Sequence, residues 1–199
     1  MALWHDGLSH ITENRFMPWV PEHKEKTRNK ILQSAARLFT HQGFDRVSIN
    51  QVMQQAGLTR GAFYKYFSSK SELYSEAIIY GATQAAGKRL TDAIGVQQVI
   101  DLYLSSEHLN SSRDVCPLAF LVSDITQREP MQQETYNKVL RGFIRLLTKE
   151  SGQPEEQAIL SSVLMIGGVA LARAAGDSAL SEQILSAAKQ EAQRQLKAI

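Results

Sequence analysis

The sequence predicts an all-α protein of about nine helices, in which a small three-helix module near the amino terminus precedes a larger helical body. Three observations lead to this fold class. Apolar residues recur at three- and four-residue spacing along most of the chain, and no alternating strand pattern of any length occurs. Capping residues, prolines and glycines fall at the ends of those periodic runs, where helices start and stop.

Ile31, Leu32, Ala35, Leu38 and Phe39 recur at i, i+1, i+4, i+7 and i+8, which predicts an amphipathic helix over 26–42 ending at Gly43. Ser48 and Gln51 form a capping box ahead of Ile49, Val52, Met53 and Ala56, a two-turn helix that ends at Gly57. Gly57 supplies the positive φ of a sharp exit, Leu58 plugs the turn, and Thr59 is placed to cap a short third helix over 60–66. Ser69 and Glu72 form a second capping box, opening a helix over 70–86.

Farther on, Val96, Val99, Ile100, Tyr103 and Leu104 make one apolar stripe, and 105–114 reads as a polar loop that leaves His108 and Arg113 solvated. Pro117 sits at a first helical position before Leu118, Leu121, Val122 and Ile125. Tyr136, Val139, Leu140, Phe143, Ile144 and Leu147 make another stripe. Helices over 154–175 and 178–196 close the chain, divided by Gly176-Asp177. The first of these is apolar on more than one face, and its Gly167-Gly168 pair permits close helix approach. Such a helix is either the central core helix of a monomer or one wall of an interface with a second copy.

Composition narrows the function classes. The chain is 43% hydrophobic and 21% charged, as in soluble globular proteins, and no apolar run near the ~20 residues of a membrane span is apparent. Residues 1–23 lack the apolar core of a secretory leader and form an N-terminal extension, a candidate disordered arm. The single cysteine, Cys116, cannot form an intramolecular disulfide, and the five histidines show no zinc-ligand spacing with it. The expectation is a reducing cytoplasm, no structural metal and no cofactor. No phosphate-binding glycine loop, nucleophile elbow or paired metal-ligand motif is present to support an enzyme.

The net charge of +2 is unevenly divided. Residues 24–70 carry nine Lys/Arg against Glu25 and Asp45, a charge of +7, whereas 71–199 carry −3 and 1–23 carry −2. A compact basic module on a mildly acidic body suits phosphate binding through counterion release.

The spacing of the second and third helices is that of a helix-turn-helix, which lays the amino-terminal end of its second helix in the DNA major groove. Phe63 and Phe67, four apart, face inward, leaving Arg60, Gly61, Tyr64 and Lys65 outward. Arg60 has the reach and donor fork to read guanine, Gly61 and Ala62 allow close approach, and Ala62 suits contact with a thymine methyl. Tyr64, Lys65, Tyr66 and Lys70, with the Ser48 and Thr59 hydroxyls, suit phosphate.

Residues 27–80 resemble the DNA-binding domain of the tetracycline-repressor (TetR) family. The resemblance rests on Ile31-Leu32-x-x-Ala35-x-x-Leu38-Phe39, the Gly43-Phe44 corner, Ser48-Ile49, Ala56-Gly57-Leu58, Gly61-x-Phe63-Tyr64-x-x-Phe67 and Ser69-Lys70-x-x-Leu73. Lys65-Tyr66 stands where that family often has Tyr-His, which leaves operator preference open. The resemblance implies a DNA-binding domain over 24–84 and a helical regulatory and dimerisation domain over 85–199. It further implies a homodimer on double-stranded operator DNA, and repression relieved by a small-molecule effector. Tyr103, Cys116, Phe120, Tyr136, Phe143 and Met165 are candidates to line the effector cavity. Val163, Ile166, Gly167, Gly168, Ala170, Leu180 and Ile184 are candidates for the dimer interface. Two alternatives stay open: a thiol-based oxidant or electrophile sensor working through Cys116, and a non-specific nucleic-acid-binding protein.

Overall fold

The computed structural model describes residues 21–92, 95–111 and 116–197. Nearly all of the N-terminal extension, and Arg113, therefore lie outside the described residues. Among those described there are nine α-helices, two short 3-10 helices and no strand.

The first helix, α1 (Pro21–Arg46), starts earlier than its apolar stripe, because its first turns are polar and leave no periodic signal. At Gly43 the backbone takes φ 77 and ψ 171, a conformation essentially confined to glycine, and a further turn follows through Arg46. The next helix, α2 (Ile49–Gln55), begins at the predicted capping box: Ser48 Oγ accepts from Gln51 N, and the Gln51 side chain accepts from Ser48 N. Gly57 adopts φ 72, and a 3-10 helix η1 (Arg60–Lys65) follows.

The long α3 (Lys70–Asp92) outruns the predicted helix, its last turns again being polar. Its cap departs from the expected box. Ser69 Oγ accepts from Glu72 N, but the Glu72 carboxylate accepts from Ser68 N and Ser68 Oγ instead of from Ser69.

The body comprises α4 (Val96–Tyr103), α5 (Ser106–Asn110), α6 (Pro117–Phe120), η2 (Ile125–Gln127), α7 (Pro130–Ser151), α8 (Glu155–Ala175) and α9 (Ser178–Gln195). Two expectations are corrected here. The predicted polar loop contains α5, capped by Ser105, and His108 is buried beneath it with Nδ1 against the Tyr103 carbonyl and its ring edge-on to Tyr103. The helix expected to run on from Pro117 stops after one turn at Phe120, because the segment behind it bends to meet α1.

The α8–α9 pair is the most extensive helix contact in the body, and α8 also packs on α6 and α7. At Gly168 an added Cβ would lie 2.9 Å from Ala188 Cβ and 3.1 Å from Leu104 Cδ2, so this glycine is needed for close approach within one chain. Gly168 and Ile166 are buried inside the protomer and correct their assignment to a dimer face; Gly167, Ala170 and Ile184 are half-buried, while Val163 and Leu180 are exposed. By length and composition α8 is apolar enough to cross a membrane, contrary to the sequence expectation, but it also meets the description of a core helix.

Candidate nucleic-acid interface

The reading turn is short and tightly wound. Within η1 the Ala62 N–H donates to the Thr59 carbonyl at 3.1 Å, and the Tyr66 N–H donates to the Phe63 carbonyl at 2.9 Å. This winding uses the Thr59 carbonyl and leaves its hydroxyl out of the cap, so the expected side-chain cap does not form. Phe63 is fully buried and stacks on Phe67 with centroids 5.8 Å apart, and the turn packs against α2.

The candidate DNA residues divide into three kinds of environment. Arg60, Gly61, Tyr64 and Lys65 are exposed on one side of η1, and Thr59 is exposed at its start. Ala62 and Tyr66 are half-buried and packed against the core, so their access to DNA is partial. Ser48 Oγ is committed to Gln51, and Lys70 Nζ lies 4.2 Å from the centre of the Phe44 ring. A phosphate contact would draw the Lys70 ammonium off that ring; burial already holds its pKa below the ordinary value.

Below the reader, the loop between α6 and α7 grips α1 and α3. Asp124 Oδ1 accepts from Phe44 N at 3.1 Å, and Asp124 Oδ2 accepts from the buried Tyr74 hydroxyl at 2.6 Å. Arg128 binds Asp45 through both terminal nitrogens at 3.0 and 2.7 Å, with its guanidinium 4.9 Å from the Phe44 ring centre. Burial and the neighbouring Asp124 carboxylate push the Tyr74 hydroxyl pKa far up, keeping it a proton donor. A second tie comes from α8, where Arg173 donates to the Thr40 carbonyl at 3.3 Å and lies over Phe120. On the α3 side, Arg28 pairs with Glu76 and rests on the Phe67 ring.

Two carboxylates in this region have lowered pKa values. The Arg128 hydrogen bond holds Asp45 below 3.8, and the Ser68 hydrogen bonds hold Glu72 below 4.5. Both folded-state values are depressed, so their contribution is present at neutral pH and lost as pH falls through them. Thermal melting should therefore drop as pH falls from about 5 to about 3, and the Asp45→Asn, Glu72→Gln double variant should show a shallower drop. An unchanged acid slope in that variant would place the sensitivity elsewhere.

An apolar cavity of about 370 Å³ lies in the body between α3, α4, α6 and α7. Tyr103, Cys116 and Phe143 line it, with Ile79, Thr83, Leu118 and Gly142 among the other wall residues. The remaining candidates do not: Phe120 lies beneath Arg173 facing a separate cleft, Tyr136 donates its buried hydroxyl to the Leu118 carbonyl at 2.6 Å, and Met165 is fully buried in α8. Sequence reasoning missed Tyr74, Asp124, Arg128 and Arg173 as anchors of the module. The α1 partners of Asp124 and Arg128 lie some 80 residues away, beyond the reach of any local pattern.

The family model for "Bacterial regulatory proteins, tetR family" matches residues 31–77. The HTH-type transcriptional regulator YfiR of Bacillus subtilis (strain 168), itself uncharacterised, is 32% identical over 149 residues, covering 69% of this chain and 72% of YfiR. The HTH-type transcriptional regulator AcrR of Shigella flexneri is 46% identical over 52 residues, 26% of this chain and 24% of AcrR. The fold matches the crystal structure of a TetR transcriptional regulator from Chloroflexus aurantiacus with a TM-score of 0.70 at 20% identity, over 89% of this chain and 98% of that one. A second TetR-family regulator, from Cytophaga hutchinsonii, gives 0.69 at 16% identity over 84% and 93% of the two chains. With the family model matched over its helix-turn-helix and a regulator relative matched over 69% of its length, the chain belongs to the TetR family of bacterial transcriptional regulators.

Proposed function

We propose that the protein is a homodimeric repressor that leaves a palindromic operator in the cytoplasm when a small molecule enters the body cavity. The observation that carries this reading is the continuity from cavity to reader. Cys116 and Leu118 line the cavity, and the same segment runs six residues on to Asp124, which holds Phe44 and Tyr74 beside the reading module. A ligand that displaces α6 would shift this anchor. Two readers must sit about 34 Å apart to engage successive major grooves, so a small change in their orientation loses one half-site. A ligand preferring the wrongly spaced state by about 1.4 kcal/mol would weaken operator binding tenfold.

In this reading Arg60 reads bases, while Thr59, Tyr64 and Lys65 hold phosphate. Ile159, Leu160, Val163 and Leu171 on α8 and Leu180 on α9 are large apolar side chains left exposed, which supports burial against a second copy. Selection of bound duplexes from a random library by the full-length protein tests the function: an enriched palindrome with half-sites about one turn apart is expected. Salt-sensitive binding without any enriched sequence would overturn it in favour of a non-specific binder.

Two variants sharpen the test. Arg60→Ala should cost about 1–3 kcal/mol of discrimination at one base position, read by competition between matched and mismatched duplexes; a uniform loss over all sequences would move Arg60 to the phosphates. Val163→Glu should yield a folded monomer by sedimentation that binds the operator at least tenfold more weakly, a penalty of about 1.4 kcal/mol or more. A dimeric, fully active Val163→Glu would place the interface on another face.

A further inference from the structure

The cavity's lining specifies the chemistry of what enters it, an inference that rests on the effector reading above. Its volume of about 370 Å³ falls at the lower end of small-molecule sites. Among the described residues every lining side chain is uncharged, and most are alkyl or aromatic. Three side chains bring polar atoms to the wall. The Thr83 hydroxyl already donates to the Ile79 carbonyl at 2.9 Å, whereas the Tyr103 hydroxyl and the Cys116 sulfur lie 3.6 Å apart with either able to donate. That pair is a long, weak contact that a ligand group can displace, since a thiol is a poor hydrogen-bond partner for a hydroxyl. Tyr136, the other nearby hydroxyl, donates to the Leu118 carbonyl and does not line the cavity.

We propose that this cavity binds a neutral, compact, largely apolar molecule of one or two rings, carrying a single hydroxyl or carbonyl that docks at the Tyr103–Cys116 pair. A carboxylate, sulfonate or ammonium would shed its hydration against alkyl walls with no opposite charge among the described lining residues to receive it, and burying an unpaired ion is far costlier than burying a hydroxyl that finds a partner. The apolar body of the ligand gains from Ile79, Leu118, Val139, Phe143 and Leu146 by leaving water.

One wall position separates ligand binding from folding. A Cβ added at Gly142, in the middle of α7, meets no atom within 4 Å, because the helix faces the void there. Gly142→Leu therefore grows into the cavity and also removes a helix-destabilising glycine.

The probes are 4-isopropylphenol, 4-isopropylbenzoate and 4-isopropylbenzylamine, which share one apolar body and are neutral, anionic and cationic at pH 7.5. Binding to the full-length protein is measured by calorimetry. The phenol is expected to bind at least about tenfold more tightly than either ion. Tyr103→Phe should weaken the phenol about fivefold, and Gly142→Leu should abolish its binding while keeping full helicity and an equal or higher melting temperature. An ion that binds more tightly than the phenol, phenol binding that survives Gly142→Leu, or no binding by any probe at millimolar concentration overturns the proposal. Operator affinity is read separately. Phenol binding lost in Gly142→Leu, without any effect of the phenol on operator affinity, overturns the effector reading and leaves the cavity's ligand class standing.

Discussion

Asp124→Ala is expected to lower the melting temperature by about 5–15 °C, a loss of about 2–4 kcal/mol, and to weaken operator binding tenfold or more. The carboxylate accepts from Phe44 N and the buried Tyr74 hydroxyl, and it lies 3.6 Å from Arg128 Nε. Removing it strands the Phe44 N–H and the buried Tyr74 hydroxyl and takes a carboxylate from beside Arg128, which keeps Asp45 and, through Nε, the Asp124 main-chain carbonyl. Stranded buried donors cost more than the net worth of the bonds they made. The reader module would then be held to the α6–α7 loop chiefly by Arg128 and Asp45. Asp124→Asn should be milder, since its carbonyl can still accept from Phe44 while its amide nitrogen donates to the Tyr74 oxygen.

Gly43→Ala tests the same anchor from the other side. Its Cβ would lie 2.8 Å from Asp124 Oδ1, in a backbone region that alanine avoids. Melting followed by circular dichroism, together with operator titration on the folded fraction, checks both variants. Reduced melting with unchanged operator affinity would mean that the anchor stabilises the fold without orienting the reader.

Phe63→Ala should be still more damaging, costing about 3–5 kcal/mol of a total that for ordinary domains is about 5–15 kcal/mol. Phe63 is the fully buried side chain of a six-residue 3-10 turn whose own hydrogen bonds are too few to hold it. Its ring stacks on Phe67 and meets Tyr64 edge-on, so truncation frees the whole reading turn. The expected result is an early, partial unfolding transition assigned to the module, with operator binding lost below it. Tyr64→Ala is the contrast: its side chain is 63% exposed, and it should melt normally yet bind DNA more weakly. Normal melting of Phe63→Ala would mean that η1 is held by other contacts.

The difference between these two anchors shows which features are legible in the chain. The capping box at Ser48 and Gln51, the exit at Gly57 and the inward pair Phe63–Phe67 involve partners within four residues of one another, and they stand as read. The Asp124 anchor joins residues 50 and 80 apart, and nothing in the local pattern of either segment announces the other. The Glu72 carboxylate shows the limit even at short range: the serine pair 68–69 offers two acceptable partners, and the folded approach to α3 selects Ser68.

The helical body was harder to read for a related reason. An apolar or aromatic residue on a helical stripe can line a void, fill the core or face another chain, and periodicity is identical in all three cases. Tyr103, Cys116 and Phe143 open onto the cavity, while Met165 is enclosed in the core and Phe120 is covered by Arg173. On α8 the same ambiguity placed Gly168 and Ile166 outward, when the approach of α9 at Ala188 turns them in.

The sequence by itself therefore determined the helical class, the helix-turn-helix and the concentration of positive charge on its module, because periodicity, caps and charge are properties of neighbouring residues. Only the tertiary structure decided which stripe residues surround a cavity, that Lys70 lies on Phe44, and that a loop in the body holds the base of the reader. Those outcomes depend on which faces are brought together by burial over long chain separations, and burial is non-directional: it rewards any apolar match and leaves the choice among them to the packing of the whole molecule.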